Sequence, residues 1–482
     1  MGVYTQLFWV GALFLSACSS KEDPAVDAGD PEVETEVDGP TFYQDILPIV
    51  GENCQQCHNS TGPMGAAFPL ETYEQVSPYA SVLLNKMQPE GDSVDPFFMP
   101  PFNARPESDC EPPHPFRGNY HVDADEIERF AAWIEADKPE GDPSTTPSFT
   151  VPPSVGLSGA LTEMNFAGPY SVPPPESGEY DSFRCFAMHM DDGNVSSSVE
   201  QWLDGMEFRP GNSAVAHHML LFAVPNLADH LESGLVEDPS SMSWDCSGAV
   251  SRSDGMYEVR DLSLMWGWVP GGLPLELSEG MGMRLAANTG LVVQMHYNTL
   301  ADPDDLSDAS TLSIRPMAEP PSREAAFLLF GVAGEGASDD VDEPPFEVPL
   351  GASGHVESYT ETQGHDSDGV RIWGFIPHMH LAGTAIRMRL GGDDGDRCLV
   401  NVPRYDYNWQ QMYAYDAKWE ELPVVRRGDA LRVECTYDNS SENVMLKKYL
   451  GGPVEEGVRL GNGTSQEMCL VGLAYACEGR CD

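Results

Sequence analysis

Two groups of residues in this 482-residue chain have the types and spacing for redox chemistry. The first is Cys54-Gln55-Gln56-Cys57-His58, a C-x-x-C-H run. Two such thiols can add to the vinyl groups of a haem while the adjacent histidine ligates its iron. A C-x-x-C pair also serves zinc or a plain disulfide, but the next histidine, His114, is far outside zinc-finger spacing. A haem held this way takes a second axial ligand, and methionine there raises its potential. Met99 is the candidate: it sits in Phe98-Met99-Pro100-Pro101, where the prolines can fix an extended loop that aims the thioether. His114 and His121 are its alternatives. The second group is His217-His218, His296, His378-Met379-His380 and Met468. On a strand, residues two apart share a face, so His378 and His380 could hold one metal together. Adjacent His217 and His218 need a bulge or a strand end to converge.

The elements that must position these residues come from a chain long enough for roughly three to four domains of about 100 to 200 residues. Acidic residues outnumber basic ones 77 to 26, a formal charge of −51, with only six lysines. Such a surface repels phosphate backbones and excludes nucleic acid as a partner. Leu7 to Leu15 form an apolar run shorter than the roughly 20 residues of a membrane span. It reads as a signal peptide, and Leu15-Ser16-Ala17-Cys18 is similar to the lipobox of bacterial lipoproteins, although residues 1–6 carry no Lys or Arg. The expectation is an exported lipoprotein lipidated at Cys18, with Ser19 favouring the outer membrane and the lipid as its only membrane contact.

Residues 19–40 read as an acidic, disordered tether. A compact segment, 41–138, closes with Ile127, Phe130, Ala131 and Ile134 at helical spacing behind Asp123 and Asp125. Residues 139–156 read as a Pro/Ser/Thr linker. Beyond them come short apolar or alternating runs such as His217 to Val224, Leu291 to Tyr297 and Leu431 to Tyr437, a β-sandwich texture. Export permits disulfides. Of 11 cysteines, setting aside Cys18, Cys54 and Cys57 leaves eight, which can pair completely.

The 41–138 segment resembles a small class I type cytochrome c domain. The fragments HHMLLF, QMHY, HMH and Glu467-Met468-Cys469, in that order from about Leu157 to Ala476, resemble the copper type II ascorbate-dependent monooxygenases. These are the family of peptidylglycine alpha-hydroxylating monooxygenase and dopamine beta-monooxygenase. The resemblance implies a multidomain fold: a small all-α cytochrome c domain followed by two all-β, jelly-roll-like sandwiches, 157–320 and 321–482, each supplying one copper site to a shared cleft. It implies an electron-transfer copper on His217, His218 and His296 and an oxygen-binding copper on His378, His380 and Met468. A soft thioether suits Cu(I), the form that must meet oxygen. It also implies the disulfides Cys185–Cys246 and Cys435–Cys469, leaving Cys110, Cys398, Cys477 and Cys481 unplaced, with Cys110 either bridging domains or free.

The implied reaction hydroxylates a C–H bond with O2. Two copper ions and one covalent haem c would be the cofactors. The haem would pass electrons from a periplasmic or extracellular donor in place of ascorbate. Peptide-amidating members grip the substrate carboxylate with an Arg two residues before the His-x-His pair, and an Asn and a Tyr follow the Met ligand by two and four. Here those positions are Ile376, Leu470 and Gly472. Without that charged clamp, a small non-peptide molecule is the expected substrate. The alternatives are a non-catalytic haem/copper electron-transfer or copper-binding lipoprotein, and a zinc hydrolase, which lacks an evident Glu base beside the His-x-His pair.

Overall fold

Strands make up most of the regular secondary structure, and several alternate in burial, as the pleat requires when one face is buried. In the computed structural model the described residues are 39–60, 68–88, 98–101, 103–118, 121–151, 156–174, 180–190, 193–247, 250–270, 272–299, 304–332, 346–364, 370–392 and 395–481. Cys18, the expected signal peptide and nearly all of the acidic tether lie outside them. No helix among the described residues is long and apolar enough to cross a membrane.

Ala430–Asp438 alternates strictly between half-buried and buried positions. It sits inside an antiparallel four-stranded sheet ordered Ser353–Thr362, Ala430–Asp438, Gly383–Gly391, Arg397–Val402. Facing strands Val370–His378, Cys469–Glu478 and Arg323–Val332 run side by side in a larger sheet. In the earlier half, Thr289–Asn298 is buried along most of its length between Ala216–Pro225 and Asp181–Ala187. A parallel pairing, Met281 opposite Arg323, makes the larger sheet continuous across both halves. One hydrophobic core accordingly contains Met219, Trp266 and Met295 together with Trp373, Phe375 and Val433.

The expected all-α cytochrome c domain is overturned. Strand far exceeds helix in the described residues, and the helices between 42 and 135 are short: Phe42–Ile46, Leu47–Asn53, Tyr73–Val76, Ser77–Tyr79, Ala80–Met87 and Ala124–Glu135. They share a small core of Phe42, Ile46, Ile49, Phe130 and Trp133. The last is started by a capping box in which Asp123 and Glu126 satisfy each other's backbone N–H groups. The stretch between the last two helices is given to the β part instead. Arg105 N–H donates to Asn401 O (2.9 Å), Arg117 N–H to Ala414 O (2.8 Å), Phe116 forms a bridge with Tyr415, and Cys110 is disulfide-bonded to Cys398. Prolines 100, 101, 106, 112, 113 and 115 explain why: a Pro-rich run cannot continue a helix, and its free backbone groups pair with sheet edges. The expected linker is tied down as well. Phe42 N–H donates to Pro139 O (2.9 Å), and the Phe149 ring lies so close to Gly51 that a Cβ there would meet it at 2.2 Å.

Candidate metal centre

His217 and His218 lie at the start of Ala216–Pro225, and His296 lies on Thr289–Asn298 directly opposite His218. The register then slips: Tyr297 faces Ala216, so His217 is an extra residue on its strand. This bulge turns two adjacent histidines to one side. The ligand atoms of His217, His218 and His296 all lie within 4.8 Å of one another. The Nδ1 atoms of His217 and His218 are 3.0 Å apart, and those of His296 and His218 3.3 Å. The Nε2 of His296 is 2.9 Å from Asp181 Oδ1. An ionised carboxylate only accepts, so Nε2 is the donor, and in the neutral ring Nδ1 keeps the lone pair. Burial, with His296 second, holds the pKa values of His217 and His218 well below the usual imidazole value. Burial also pushes Asp181 up, but the His296 ring and both donors of Thr464 outweigh it and hold the carboxyl below the usual range. His217 and His218 are therefore neutral imidazoles, and with His296 they bring three ring nitrogens around one point, which fits a copper ion.

His378 ends strand Val370–His378, and His380 follows in the turn, their rings 5.2 Å apart and nearly perpendicular. His380 Nδ1 donates to Gln466 O at 3.0 Å. Gln410 donates its Nε2–H to Tyr407 O (3.0 Å), so its Oε1 accepts from His378 Nδ1. Both rings are thus left with Nε2 as the open nitrogen. Burial lowers the pKa of His378 to about 4, and burial with His378 lowers that of His380 to about 3. Met468, 9% exposed, precedes strand Cys469–Glu478, which the Cys435–Cys469 disulfide fastens to Ala430–Asp438. Its neighbour Glu467 is fully buried and accepts from the N–H groups of His380 (2.7 Å), Ala382 (2.8 Å), Gly383 (3.1 Å) and Met468 itself (3.3 Å). One carboxyl therefore fastens the Met468 loop to the His380 turn. Burial pushes its pKa up to about 8 against the pull of those N–H groups.

Sequence reasoning put the two histidine sets on either side of a cleft. The structure brings them into contact: His218 and His378 meet edge to face, ring centroids 5.4 Å apart. Several residues of this centre carried no signal that sequence reasoning used. Tyr407 stacks on His217 at 4.4 Å and 24°, and Phe183 on His296 at 4.4 Å and 13°. Tyr405 accepts from Met379 N–H (2.8 Å) and donates to Met379 O (2.6 Å), fixing the residue between His378 and His380. The remaining histidines go elsewhere: His189 bonds Ala187 O, His230 Tyr257 and His355 Glu357, while His365 lies outside the described residues.

Cys54 and Cys57 are free, whereas the other described cysteines pair as Cys110–Cys398, Cys185–Cys246, Cys435–Cys469 and Cys477–Cys481. The C-x-x-C-H run forms a turn at the end of Leu47–Asn53, with His58 N–H donating to Cys54 O (2.9 Å). Burial, then the nearby Cys57 and Glu126, pushes the Cys54 thiol up to about 12; burial raises Cys57 as well. His58 Nδ1 donates to Phe68 O (3.0 Å), leaving Nε2 open. Met99 is held to the end of Ala80–Met87 through its N–H to Lys86 O (3.0 Å). Its alternatives are turned to carbonyls: His114 to Glu421 O (2.9 Å) and His121 to Ala104 O (3.3 Å).

Residues 353–480 match the C-terminal domain of the copper type II ascorbate-dependent monooxygenases. The chain is 24% identical over 271 residues to a mouse DBH-like monooxygenase protein 1, covering 55% of this chain and 40% of that protein. It is 22% identical over 270 residues to dog dopamine beta-hydroxylase, covering 55% and 38%. It is 23% identical over 341 residues to rat peptidylglycine alpha-amidating monooxygenase, covering 68% and 28%. The chain thus spans less than half the length of these relatives.

Proposed function

We propose that this protein is a copper-dependent monooxygenase that hydroxylates a C–H bond of a small, non-peptide organic substrate with O2. The balance is R–H plus O2, two electrons and two protons, giving R–OH and water. The observation that carries this reading is the convergence of the Nδ1 atoms of His217, His218 and His296 beside the His378 and His380 rings, whose Nε2 atoms are left open. His217, His218 and His296 would hold one copper, and His378, His380 and Met468 the other. Bound copper supplies one-electron redox chemistry and a place for O2. The protein's part is to keep the imidazoles neutral, fix their tautomers and exclude water around them. A less polar substrate is supported by the wall beside His378. Ile376 sits opposite Gly472 in register, so close that a Cβ on the glycine would meet Ile376 Cβ at 3.2 Å.

The electron supply we assign to a haem, which Cys54, Cys57, His58 and Met99 would hold and which would supply one-electron redox chemistry. The two thiols are unpaired with one another while every other described cysteine is bridged, and His58 presents Nε2. The segment that carries Met99 also packs against the loop beside the histidines. The Phe98 ring, next to Met99, lies 3.5 Å from the Arg404 guanidinium. Two residues of the same run, Tyr405 and Tyr407, then touch Met379 and His217. The donor would be a one-electron carrier outside the cytoplasm, and four disulfides suit an oxidising compartment. Lipid anchoring at Cys18, with outer-membrane placement, completes the reading.

Metal analysis combined with O2 uptake over a compound panel tests it. Two copper equivalents and uptake that depends on an apolar compound are expected. Haem and copper redox without substrate-dependent uptake would establish the non-catalytic electron-transfer alternative. Chemically reduced haem that reoxidises no faster with copper loaded than with copper removed would break the haem route alone.

A further inference from the structure

We infer that Asp181 is the positioning residue of the three-histidine site and that, through Thr464, it also joins the two halves of the metal centre. The metal in this inference rests on the copper reading above; the geometry does not. Asp181 opens strand Asp181–Ala187 and pairs in register with Asn298, two residues beyond His296. Its carboxylate gathers four donors: His296 Nε2–H (2.9 Å), Asn298 Nδ2–H (2.8 Å), Thr464 N–H (2.9 Å) and the Thr464 hydroxyl.

The first of these decides which nitrogen of His296 can ligate. Held by an acceptor at Nε2, the ring offers Nδ1, and Nδ1 is the atom that faces His218. A ring flip would exchange the two, and two contacts oppose it: the carboxylate at one end, and Phe183 stacked on the face. Phe183 lies two residues along the same strand as Asp181, so both act from one side of it.

The other donors reach across the protein. Thr464, 5% exposed, belongs to the turn that leads into Glu467 and Met468 in the later half of the chain, whereas Asp181, His296 and Asn298 belong to the earlier half. Asn298 Nδ2 also reaches Thr464 Oγ1 (3.3 Å), and Thr464 Oγ1 accepts from Tyr407, the residue stacked on His217. One carboxylate therefore orients a ligand of the first site and grips the loop that carries a ligand of the second. Removing such a carboxylate partner from a metal-bound histidine typically weakens the metal by about 10–100-fold.

The test uses the full chain. In metal-free protein, 15N shifts of labelled histidine are expected to report His296 protonated at Nε2; an Nδ1–H tautomer would overturn the inference without any variant. Anaerobic competition for Cu(I) against a chromophoric chelator then compares the parent with Asp181→Asn. One of the two equivalents should weaken by about 10–100-fold with the other unchanged; parental affinity for both would overturn it. Thr464→Val should leave both affinities near parental values but speed amide hydrogen exchange in the turn that carries Thr464 and Glu467, and unchanged exchange there would overturn the joint. A parent that binds fewer than two coppers would fail the copper reading, and the tautomer would then decide the role of Asp181 by itself.

Discussion

Tyr405→Phe isolates one contribution to the geometry of the His378/His380 pair. In the native protein the Tyr405 hydroxyl accepts from Met379 N–H at 2.8 Å and donates to Met379 O at 2.6 Å. Tyr405 is 9% exposed, and Met379 is fully buried. Phenylalanine keeps the ring and its packing but leaves a buried N–H and a buried C=O without a partner. Each orphaned group costs about 1–3 kcal/mol, offset in part because the hydroxyl no longer has to be desolvated, so a net loss of about 2–4 kcal/mol is expected. That is a large share of the roughly 5–15 kcal/mol that holds a typical domain together. Urea unfolding should show a lowered midpoint with an unchanged slope, the mark of lost stability without a changed denatured state. Copper retention at the His378 site should fall in parallel, because Met379 fixes the backbone between the two rings. A variant within about 0.5 kcal/mol of the parent, the range of ordinary surface changes, would refute the view that this hydroxyl clamps the turn.

Other expectations concern the same centre and the strap that leads to it. His378→Ala should reduce bound copper from two equivalents to one by metal analysis; retention of both would dismantle the ligand assignment. Changing Cys110 and Cys398 together to Ser removes a cross-link between residues 288 positions apart and should cost about 2–4 kcal/mol in urea unfolding, an unchanged midpoint counting against it. The pKa of His121 is lowered from 6.5 to about 4 by burial and then by Arg105. The unfolded chain therefore takes up this proton first on acidification, so stability should be lost between pH 6.5 and 4, by up to about 3 kcal/mol, and no further below. His121→Gln should flatten that limb of the stability–pH curve, and an identical slope would show that other groups produce it.

His217, His218 and His296 were grouped through family resemblance; geometry alone required only that adjacent His217 and His218 converge through a bulge or a strand end, and the register supplies a bulge at His217. The pairs Cys185–Cys246 and Cys435–Cys469 were legible through family resemblance alone, since eight thiols do not rank their own partners. Asp181 was invisible. It is one of 77 acidic residues, and its importance comes from Thr464, 283 positions away. The run from Arg404 to Gln411 has no period to read, because it is a loop whose side chains each meet a different element. The all-α expectation failed for a related reason. The helical spacing from Ile127 to Ile134 was real, but the proline-rich stretch before it is used up in pairing with strands nearly 300 residues later.

The contact between His218 and His378 constrains how the two halves can work. Each half contributes its own histidines, so the composition of either site is fixed by local register, at the bulge for one and at the end of Val370–His378 for the other. The distance between the sites has a different origin. It is set by the sheet that runs unbroken through the Met281–Arg323 pairing and by the polar grip of Asp181 on Thr464. The first is backbone pairing inside a shared hydrophobic core and should not yield without unfolding. The second consists of side-chain bonds at a partly exposed carboxylate, with 19% of the Asp181 side chain accessible, and is far cheaper to break. Thr464→Val should therefore loosen how the two sites sit against each other while leaving what each binds largely intact, whereas a change at Asp181, which also holds His296, should weaken the three-histidine site as well. Substitutions at the sheet junction should instead lower the stability of the whole protein.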